Sequence, residues 1–450
     1  MNDAPVSALR GEPLGQGEWM SAFVKSIPLA DRLIRRNPLY YRGFRRLLAE
    51  AETATLAERR AMAADLLARN GAWARALPGY AGFGLDRPLA EQPILVKEKL
   101  QDRDTAFQAR SWLPLAHAAT GGSTGVPLRL VRTLQSLTME QAMIDHLAAK
   151  AGVDLSAAKS AVLRIDRIKD PNDDTPPFWR EAGRQRLLLS SMHLNARHYP
   201  DFAQALRAFR PDVLLALPSS LELLTDLAGE HGAPVDLKLV ITSSEMLRPG
   251  LRARVEKCFG AALIDYYGMA ERVCAAYSTE DGIYRFIFPY GYPELLKIEE
   301  GRYRILGTSF WNRCQPLRRY DTDDIALLPA GVSAEGLERI ALGLDPFLGI
   351  EGRSTDYFLL ADGSRIYTMD QVPLGVTGAA TVQLIQESVD AALVVVVPNG
   401  KFSDHTLDSI RRNFYQRAPR SVKVRVEVRD TPHRLANGKA PVFISNLARA

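Results

Sequence analysis

The sequence predicts an α/β protein: a large N-terminal domain with mostly parallel sheets flanked by helices, plus a small α+β C-terminal domain. Three observations predict it. Short apolar runs alternate with helix-period segments through residues 213–267 at the spacing of βαβ units. The pattern then changes after Pro293, and again near Gly352, where a strand-rich segment of a reasonable domain size begins. Finally, 450 residues are more than one ordinary hydrophobic core serves. The division this implies is residues 1–351 and 352–450.

In chain order, residues 1–110 read as a mostly helical lead-in. Residues 56–70 carry apolar side chains at helical spacing, and proline breaks follow at Leu77-Pro78 and Gln92-Pro93. Residues 213–218, 237–242 and 262–267 read as buried strands. Between them, residues 219–230 form a helix with Ser219 or Ser220 as N-cap, and residues 248–259 one opened by Pro249 in its first turn. Residues 295–298 and 303–306 flank Glu300-Gly301 as a hairpin. Beyond Gly352, strands at 381–386, 393–397 and 422–428 surround a helix at 403–417. Parallel sheets bind ligands where strands end, which singles out Ser243-Ser244-Glu245 and Gly268-Met269-Ala270-Glu271.

Composition excludes several classes. Hydrophobic residues at 46% and charged residues at 24% are the balance of a soluble globular chain. The net charge of +5 is spread along the chain without a dense basic block, so no nucleic-acid partner is expected. Cys258, Cys274 and Cys314 lack CxxC spacing, which argues against a disulfide framework and a thiolate zinc site. Residues 1–15 lack the apolar stretch of a signal peptide, and the apolar runs at 213–218 and 391–398 are too short to span a bilayer. A cytoplasmic location with no membrane span is the expectation. None of the seven histidines shows metal-ligand spacing, although His117 lies just before a glycine-rich segment.

Five segments carry candidate chemistry. The first is Thr120, Gly121, Gly122, Ser123, Thr124 and Gly125, followed by Val126-Pro127. Its glycines let backbone approach a ligand, and its hydroxyls and N–H groups suit a phosphate. The Gly-Lys-Ser/Thr of a P-loop is missing, and a plain surface turn has the same composition. The second is Asp265-Tyr266-Tyr267-Gly268-Met269-Ala270-Glu271. An aromatic face beside a glycine suits a purine, and Glu271 at a strand end suits Mg²⁺; a strand running into a polar turn reads the same way. The third, Arg318-Arg319-Tyr320-Asp321-Thr322-Asp323-Asp324, offers carboxylates for ribose hydroxyls or a metal, or is a polar turn. The fourth is Gly352-Arg353-Ser354-Thr355-Asp356 at the change of pattern, and the fifth is Asn437-Gly438-Lys439, a tight turn presenting a lysine.

Taken in order, these segments resemble the adenylate-forming superfamily of acyl-CoA synthetases and related ligases. The nearer likeness is to its phenylacetate–CoA ligase-like branch, which includes CapK-type proteins, and it spans residues 92–444. The resemblance implies ATP-dependent conversion of a carboxylic acid to an acyl-adenylate with pyrophosphate release, then acyl transfer to a thiol, coenzyme A. By that likeness residues 120–125 close on the β- and γ-phosphates, Tyr266, Tyr267 and Gly268 form the aromatic segment with Tyr267 stacked on adenine, and Ser244 and Glu245 line the base's other side. Glu271 coordinates Mg²⁺, Asp324 and Arg353 take the ribose hydroxyls, and Lys439 swings toward the reacting carboxylate on a mobile C-terminal domain hinged at residues 352–356. Aromatic acids are favoured by the likeness alone, as is a homodimer.

The chain departs from the family pattern at several places. Asp323 stands where a glycine is usual; aspartate tolerates left-handed backbone better than most residues. Val126 stands where many relatives carry a lysine, and Thr355 where an acidic residue or lysine is common. The segment after Glu271 has no Cys or His over residues 277–284, so the zinc site of some members is not expected. Two alternatives remain open at this level: transfer to an acyl carrier protein or an amine or hydroxyl acceptor in capsule or secondary metabolism, and a nucleotide-binding interaction protein without catalysis.

Overall fold

The computed structural model describes residues 33–111, 115–119, 128–164, 168–170, 173–351, 357–366, 369, 372–373, 375–398, 401–433 and 442–447. Helices α1 (Tyr41–Thr53) and α2 (Leu56–Arg75) open this portion. Thr55 and Glu58 form a capping box that fixes the start of α2, as the helical periodicity predicts; the helix runs five residues beyond residue 70. A hairpin of β1 (Ala116–Ala119) and β2 (Arg129–Arg132) brackets residues 120–127, and α3 (Leu134–Lys150) follows, capped by Thr133.

An eight-stranded sheet dominates the described residues. Its strands are β3 (Ser160–Leu163), β4 (Trp179–Glu181), β5 (Arg186–Leu189), β6 (Val213–Ala216), β7 (Leu239–Ser243), β8 (Ala262–Tyr267), β9 (Ala276–Glu280) and β10 (Ile283–Phe286). They lie in the order β10-β9-β8-β7-β6-β3-β5-β4. The five inner strands, β8 to β5, pair in parallel, and antiparallel pairs close both edges. The mostly parallel sheet read from the sequence is therefore present, with strands within two residues of the predicted bounds.

Both faces of this sheet are covered, which is why its strands read as apolar runs. Helices α4 (Tyr199–Phe209), α5 (Pro218–His231) and α6 (Leu251–Phe259) pack Phe202, Leu221, Leu224, Val255 and Phe259 on one face, against Leu214, Val240 and Leu263. On the other face α1 and α3 bring Phe44, Leu48, Met139, Met143 and Leu147 against Val213, Leu239, Ile241 and Ile264. Alternate residues of one strand thus serve opposite cores, as the two-residue period of a strand requires.

Two helix starts differ from the sequence reading. Helix α5 begins at Pro218 with Leu217 as N-cap and no side-chain cap, so neither Ser219 nor Ser220 caps it. Pro218 has no N–H to satisfy, and the Ser219 N–H donates instead to Glu245 Oε2 at 2.9 Å. Helix α6 starts at Leu251, after Gly250 at φ +78°, because that left-handed residue cannot join the helix that Pro249 was expected to open.

The chain then forms an antiparallel sheet of β11 (Gly291–Glu299), β12 (Arg302–Ser309), β13 (Tyr320–Leu327) and β14 (Gly349–Glu351), with α7 (Ala334–Ala341) against it. The hairpin at Glu300-Gly301 is there, with Glu299 paired to Arg302. Val273 is wedged between this sheet and the parallel one: a Cβ on Gly291 would stand 2.0 Å from the Val273 carbonyl oxygen, and one on Gly307 2.3 Å from a Val273 methyl. The Arg318-Arg319 pair is structural. Arg318 donates to Gln92 Oε1 at 2.6 Å, and Arg319 pairs with Glu294 at 3.1 Å and donates to Ala90 O at 2.9 Å, tying the helical lead-in to β13.

The last portion has its own sheet and core. A short hairpin, β15 (Phe358–Leu359) and β16 (Arg365–Ile366), precedes β17 (Ala379–Ser388), β18 (Ala391–Pro398), helix α8 (Asp404–Tyr415), β19 (Lys423–Val428) and β20 (Phe443–Ser445). The larger strands lie in the order β19-β18-β17-β20, and Val382, Leu384, Val394 and Val396 pack on Ile410, Phe414 and Phe358. This is the expected α+β arrangement. The hairpin also touches the parallel sheet's surroundings: Arg365 lies 3.6 Å from Glu222, and Asn195 donates to Asp362 at 2.9 Å.

Gly291→Ala is expected to destabilise the protein by about 1–3 kcal/mol or more, since Val273 backbone must move to admit the methyl group. Urea unfolding of the variant beside the parent checks this; an unchanged midpoint would show that the two sheets are not pressed together at Val273.

Candidate active site at the strand ends

The described candidate residues gather at the C-terminal ends of the parallel strands. After β7 the chain turns through Ser243, Ser244 at φ +76°, and Glu245. The Ser243 hydroxyl accepts from the Arg164 guanidinium at 2.9 Å, just beyond β3. Glu245 reaches the first turn of α5 and takes the Ser219 N–H. The Ser219 hydroxyl sits beside the same carboxylate without completing a hydrogen bond, and Glu245 Oε1 is buried without one. Burial pushes the Glu245 carboxyl up to about 7, against the pull of Ser219 and Arg365 and with the added push of Asp265.

Strand β8 delivers the second segment. Asp265, 2% exposed, accepts from Thr242 Oγ1 at 2.6 Å and from the Tyr284 hydroxyl at 2.5 Å. Burial raises its pKa, and these two donors oppose the rise. Tyr266 packs into the core shared with α1 and α3, and its ring lies 3.5 Å from where a Cβ on Gly268 would stand. Tyr267 donates its hydroxyl to Asp324 Oδ2 at 2.8 Å. Burial first, and then the Asp324 charge, hold the Tyr267 phenol well above its usual pKa, so it stays a donor.

Glu271 lies three residues past Gly268 and is half-buried. Its Oε1 accepts from the Tyr320 hydroxyl at 2.8 Å. Arg132, at the end of β2, donates to the Ala270 carbonyl at 2.7 Å and lies near Glu271. Burial, then the neighbouring Arg272, lowers the Arg132 pKa to about 10, which leaves it charged at neutral pH. Cys274 is buried, and burial followed by the Asp324 and Glu271 charges pushes its thiol up; it is no thiolate nucleophile.

Asp324 reaches Tyr267 through an irregularity in β13. Arg304 pairs with Ile325 and Leu306 with Asp321, so Thr322, Asp323 and Asp324 stand opposite Ile305 alone. Thr322 ties the bulge down through its hydroxyl to the Ile305 carbonyl at 2.8 Å, and Asp323 takes φ +61°. The left-handed backbone that an aspartate tolerates is thus the backbone adopted there.

The structure brings Ser244, Glu245, Tyr267, Gly268, Glu271 and Asp324 to one rim, where the first segment's flanking hairpin also ends, whereas Tyr266 turns its ring into the core. Thr120, Gly121, Gly122, Ser123, Thr124, Gly125, Arg353 and Lys439 lie outside the described residues. His117 is exposed on β1. Sequence reasoning named no role for Arg132 or Tyr320, and reached Arg164 only as part of residues 163–170, a segment expected, with residues 217–220, to line the acid pocket. An arginine soon after a glycine-rich loop, or directly after a buried strand, was the available signal.

No family model matches the chain. It is 19% identical to protein CapK of Staphylococcus aureus over 235 residues, which is 52% of this chain and 52% of that one. It is 25% identical to phenylacetate-coenzyme A ligase of Escherichia coli K12 over 288 residues, 59% of this chain and 63% of that one. The chain thus spans about half to two thirds of the length of these curated relatives. Among solved structures, a 2-hydroxyisobutyryl-CoA ligase in complex with 2-HIB-AMP and CoA overlays at TM-score 0.45 and 18% identity, covering 86% of this chain and 90% of that one. The curated relatives bear out the likeness to the adenylate-forming superfamily. Within it, the relatives to which the chain is similar are a phenylacetate-coenzyme A ligase and CapK.

Two predictions follow from this geometry. Because the folded Glu245 carboxyl sits at about 7 rather than 4.5, the folded state holds its proton more tightly, and this residue's contribution to stability is lost as pH rises from 4.5 to about 7. Glu245→Gln is expected to reduce the fall in melting temperature between pH 5 and pH 8; an unchanged fall would place the titration elsewhere. Asp323→Val, which forces a β-branched side chain into φ +61°, is expected to cost about 1–2 kcal/mol, while Asp323→Gly costs nothing, as read by chemical denaturation.

Proposed function

We propose that this chain activates a carboxylic acid with ATP to an acyl-adenylate, releasing pyrophosphate, and then passes the acyl group to coenzyme A. The observation that carries the reading is the meeting of Glu245, Tyr267, Glu271 and Asp324 at one end of a parallel sheet, in a chain similar to phenylacetate-coenzyme A ligase. In this reading adenine lies against Tyr267 and the Ser244-Glu245 turn, and Asp324, already held by Tyr267, accepts from the ribose hydroxyls.

Glu271 fits the metal role. It is a hard carboxylate with one oxygen held by Tyr320, and Mg²⁺ is bound by one or two carboxylates together with substrate phosphates. Bound there, the ion would neutralise charge between the phosphates. The substrate carboxylate oxygen attacks the α-phosphorus, the bond to the β-phosphate oxygen breaks, and pyrophosphate leaves. Negative charge grows on the phosphoryl oxygens in this step, which is what Lys439 and the N–H groups of residues 120–125 are assigned to meet, while Arg353 joins Asp324 at the ribose hydroxyls. Residues 352–450 act as a lid turning at residues 352–356, so that Lys439 enters for adenylation and leaves for the thiol. The thiol sulfur then bonds to the acyl carbon as AMP departs.

ATP–pyrophosphate exchange against a panel of aromatic, aliphatic and hydroxy acids tests this reading. Exchange is expected to depend on one class of acid and to fall on the order of 10²–10³-fold in Lys439→Ala and in Glu271→Gln. ATP binding without exchange for any acid would instead favour a nucleotide-binding protein without catalysis. Discharge of the adenylate by free coenzyme A separates a CoA ligase from an enzyme that loads a carrier protein.

A further inference from the structure

The rim continues past the nucleotide residues, and there its character changes. Strand order sets the geometry. Tyr267 ends β8, Glu245 follows β7, Ser219 and Ser220 follow β6, and Arg164 follows β3. Neighbouring strands lie about 4.8 Å apart, so β6 and β3 stand roughly 10 and 14 Å from β8. A base stacked on Tyr267 leaves that stretch for the acid. The order β5-β3-β6-β7 also reverses direction at β3 and β6, since β3 leads to one side and β6 to the other. Ligand crevices form at such reversals.

This stretch is polar and its polar atoms are unsatisfied. Arg164 Nε, Ser219 Oγ, Ser220 Oγ and Glu245 Oε1 are all buried without a hydrogen-bond partner among the described residues. Ser220 as a whole is 1% exposed. The groups are linked: Arg164 to Ser243 at 2.9 Å, the Ser243 and Ser244 hydroxyls at 3.4 Å, and Glu245 to Ser219 at 2.9 Å. No carboxylate among the described residues neutralises Arg164. Buried polar groups left in this state are costly, and a fold keeps them where something else completes them.

We propose that the acid bound here carries hydroxyl groups, which pair with Arg164, Ser219 and Ser220 at the β3 and β6 ends. The proposal rests on the adenylation reading and narrows its substrate class. The mixture of groups selects among chemistries. An apolar aromatic or aliphatic tail satisfies none of the four atoms. A second carboxylate offers acceptors only, so it can take the Arg164 Nε–H but brings no donor to the serine oxygens or to Glu245 Oε1. A hydroxyl both donates and accepts, so it can accept from Arg164 Nε–H and donate to a serine oxygen or to Glu245 Oε1.

The test uses acids matched in carbon number with and without hydroxyls, together with dicarboxylates, and reads two signals on the full chain. One is the thermal shift by the acid in the presence of a non-hydrolysable ATP analogue; the other is ATP–pyrophosphate exchange. A hydroxylated acid is expected to bind on the order of 100-fold more tightly than its plain partner, the factor set by leaving buried polar groups unpaired. Arg164→Met is expected to shrink that ratio roughly tenfold while ATP-analogue binding is retained, and Ser219→Ala to shrink it less. Equal or tighter binding of the plain acid or of a dicarboxylate, no shift with any hydroxylated acid, or a ratio unchanged in both variants overturns the proposal. Discrimination in binding without exchange would uphold it and overturn the adenylation reading instead.

Discussion

One part-buried hydrogen bond, Tyr267 to Asp324, joins the two sheets on which the site is built. Tyr267 is the last residue of β8 in the parallel sheet, and Asp324 sits in the bulge of β13 in the antiparallel one. The bond needs both ends prepared. The phenol must stay protonated, which burial ensures. The carboxylate must leave the regular ladder, which the left-handed Asp323 and the Thr322 tether accomplish. Val273, pressed between the sheets against Gly291 and Gly307, sets the separation at which 2.8 Å is reached. Glu271 shares this constraint, because its partner Tyr320 begins β13 and its own loop runs directly into Val273.

What was legible in the sequence follows from what is local. The strands at 239–243 and 262–267 announced themselves because a sheet covered on both faces needs apolar side chains at successive positions. The left-handed Asp323 was legible because few residue types tolerate that backbone. The start of α5 was not. A serine at a helix start reads as a cap, but the helix already begins at Pro218, and the N–H of Ser219 itself is taken by Glu245, 26 residues later. The same applies to Arg318 and Arg319, which look like part of a ligand motif and instead hold Gln92, Ala90 and Glu294. Arg164 and Arg132 acquire meaning only from Ser243 and Ala270, 79 and 138 positions away. Contacts at such separations leave no periodic trace.

The electrostatics of the rim narrow what the described residues can do alone. Four carboxylates, Glu245, Asp265, Glu271 and Asp324, converge where an anionic nucleotide is proposed to bind. Asp265 is spent on Thr242 and Tyr284, so it braces β7 and β8 rather than meeting a ligand. Asp324 accepts from Tyr267, and an acceptor-only carboxylate suits sugar hydroxyls and not phosphate. Glu245, pushed up to about 7, sheds much of its charge near neutral pH and so repels an anion less than its position suggests. Glu271 is the remaining carboxylate on the side where the phosphates are proposed to lie, and a cation beside it would offset their mutual repulsion. Arg132 supplies part of that from the hairpin next to the glycine-rich segment. In the proposed function the rest comes from a divalent ion and from Lys439. The acidic rim therefore makes phosphate binding conditional on those cations, which couples nucleotide capture to closure of the C-terminal segment in the proposed cycle.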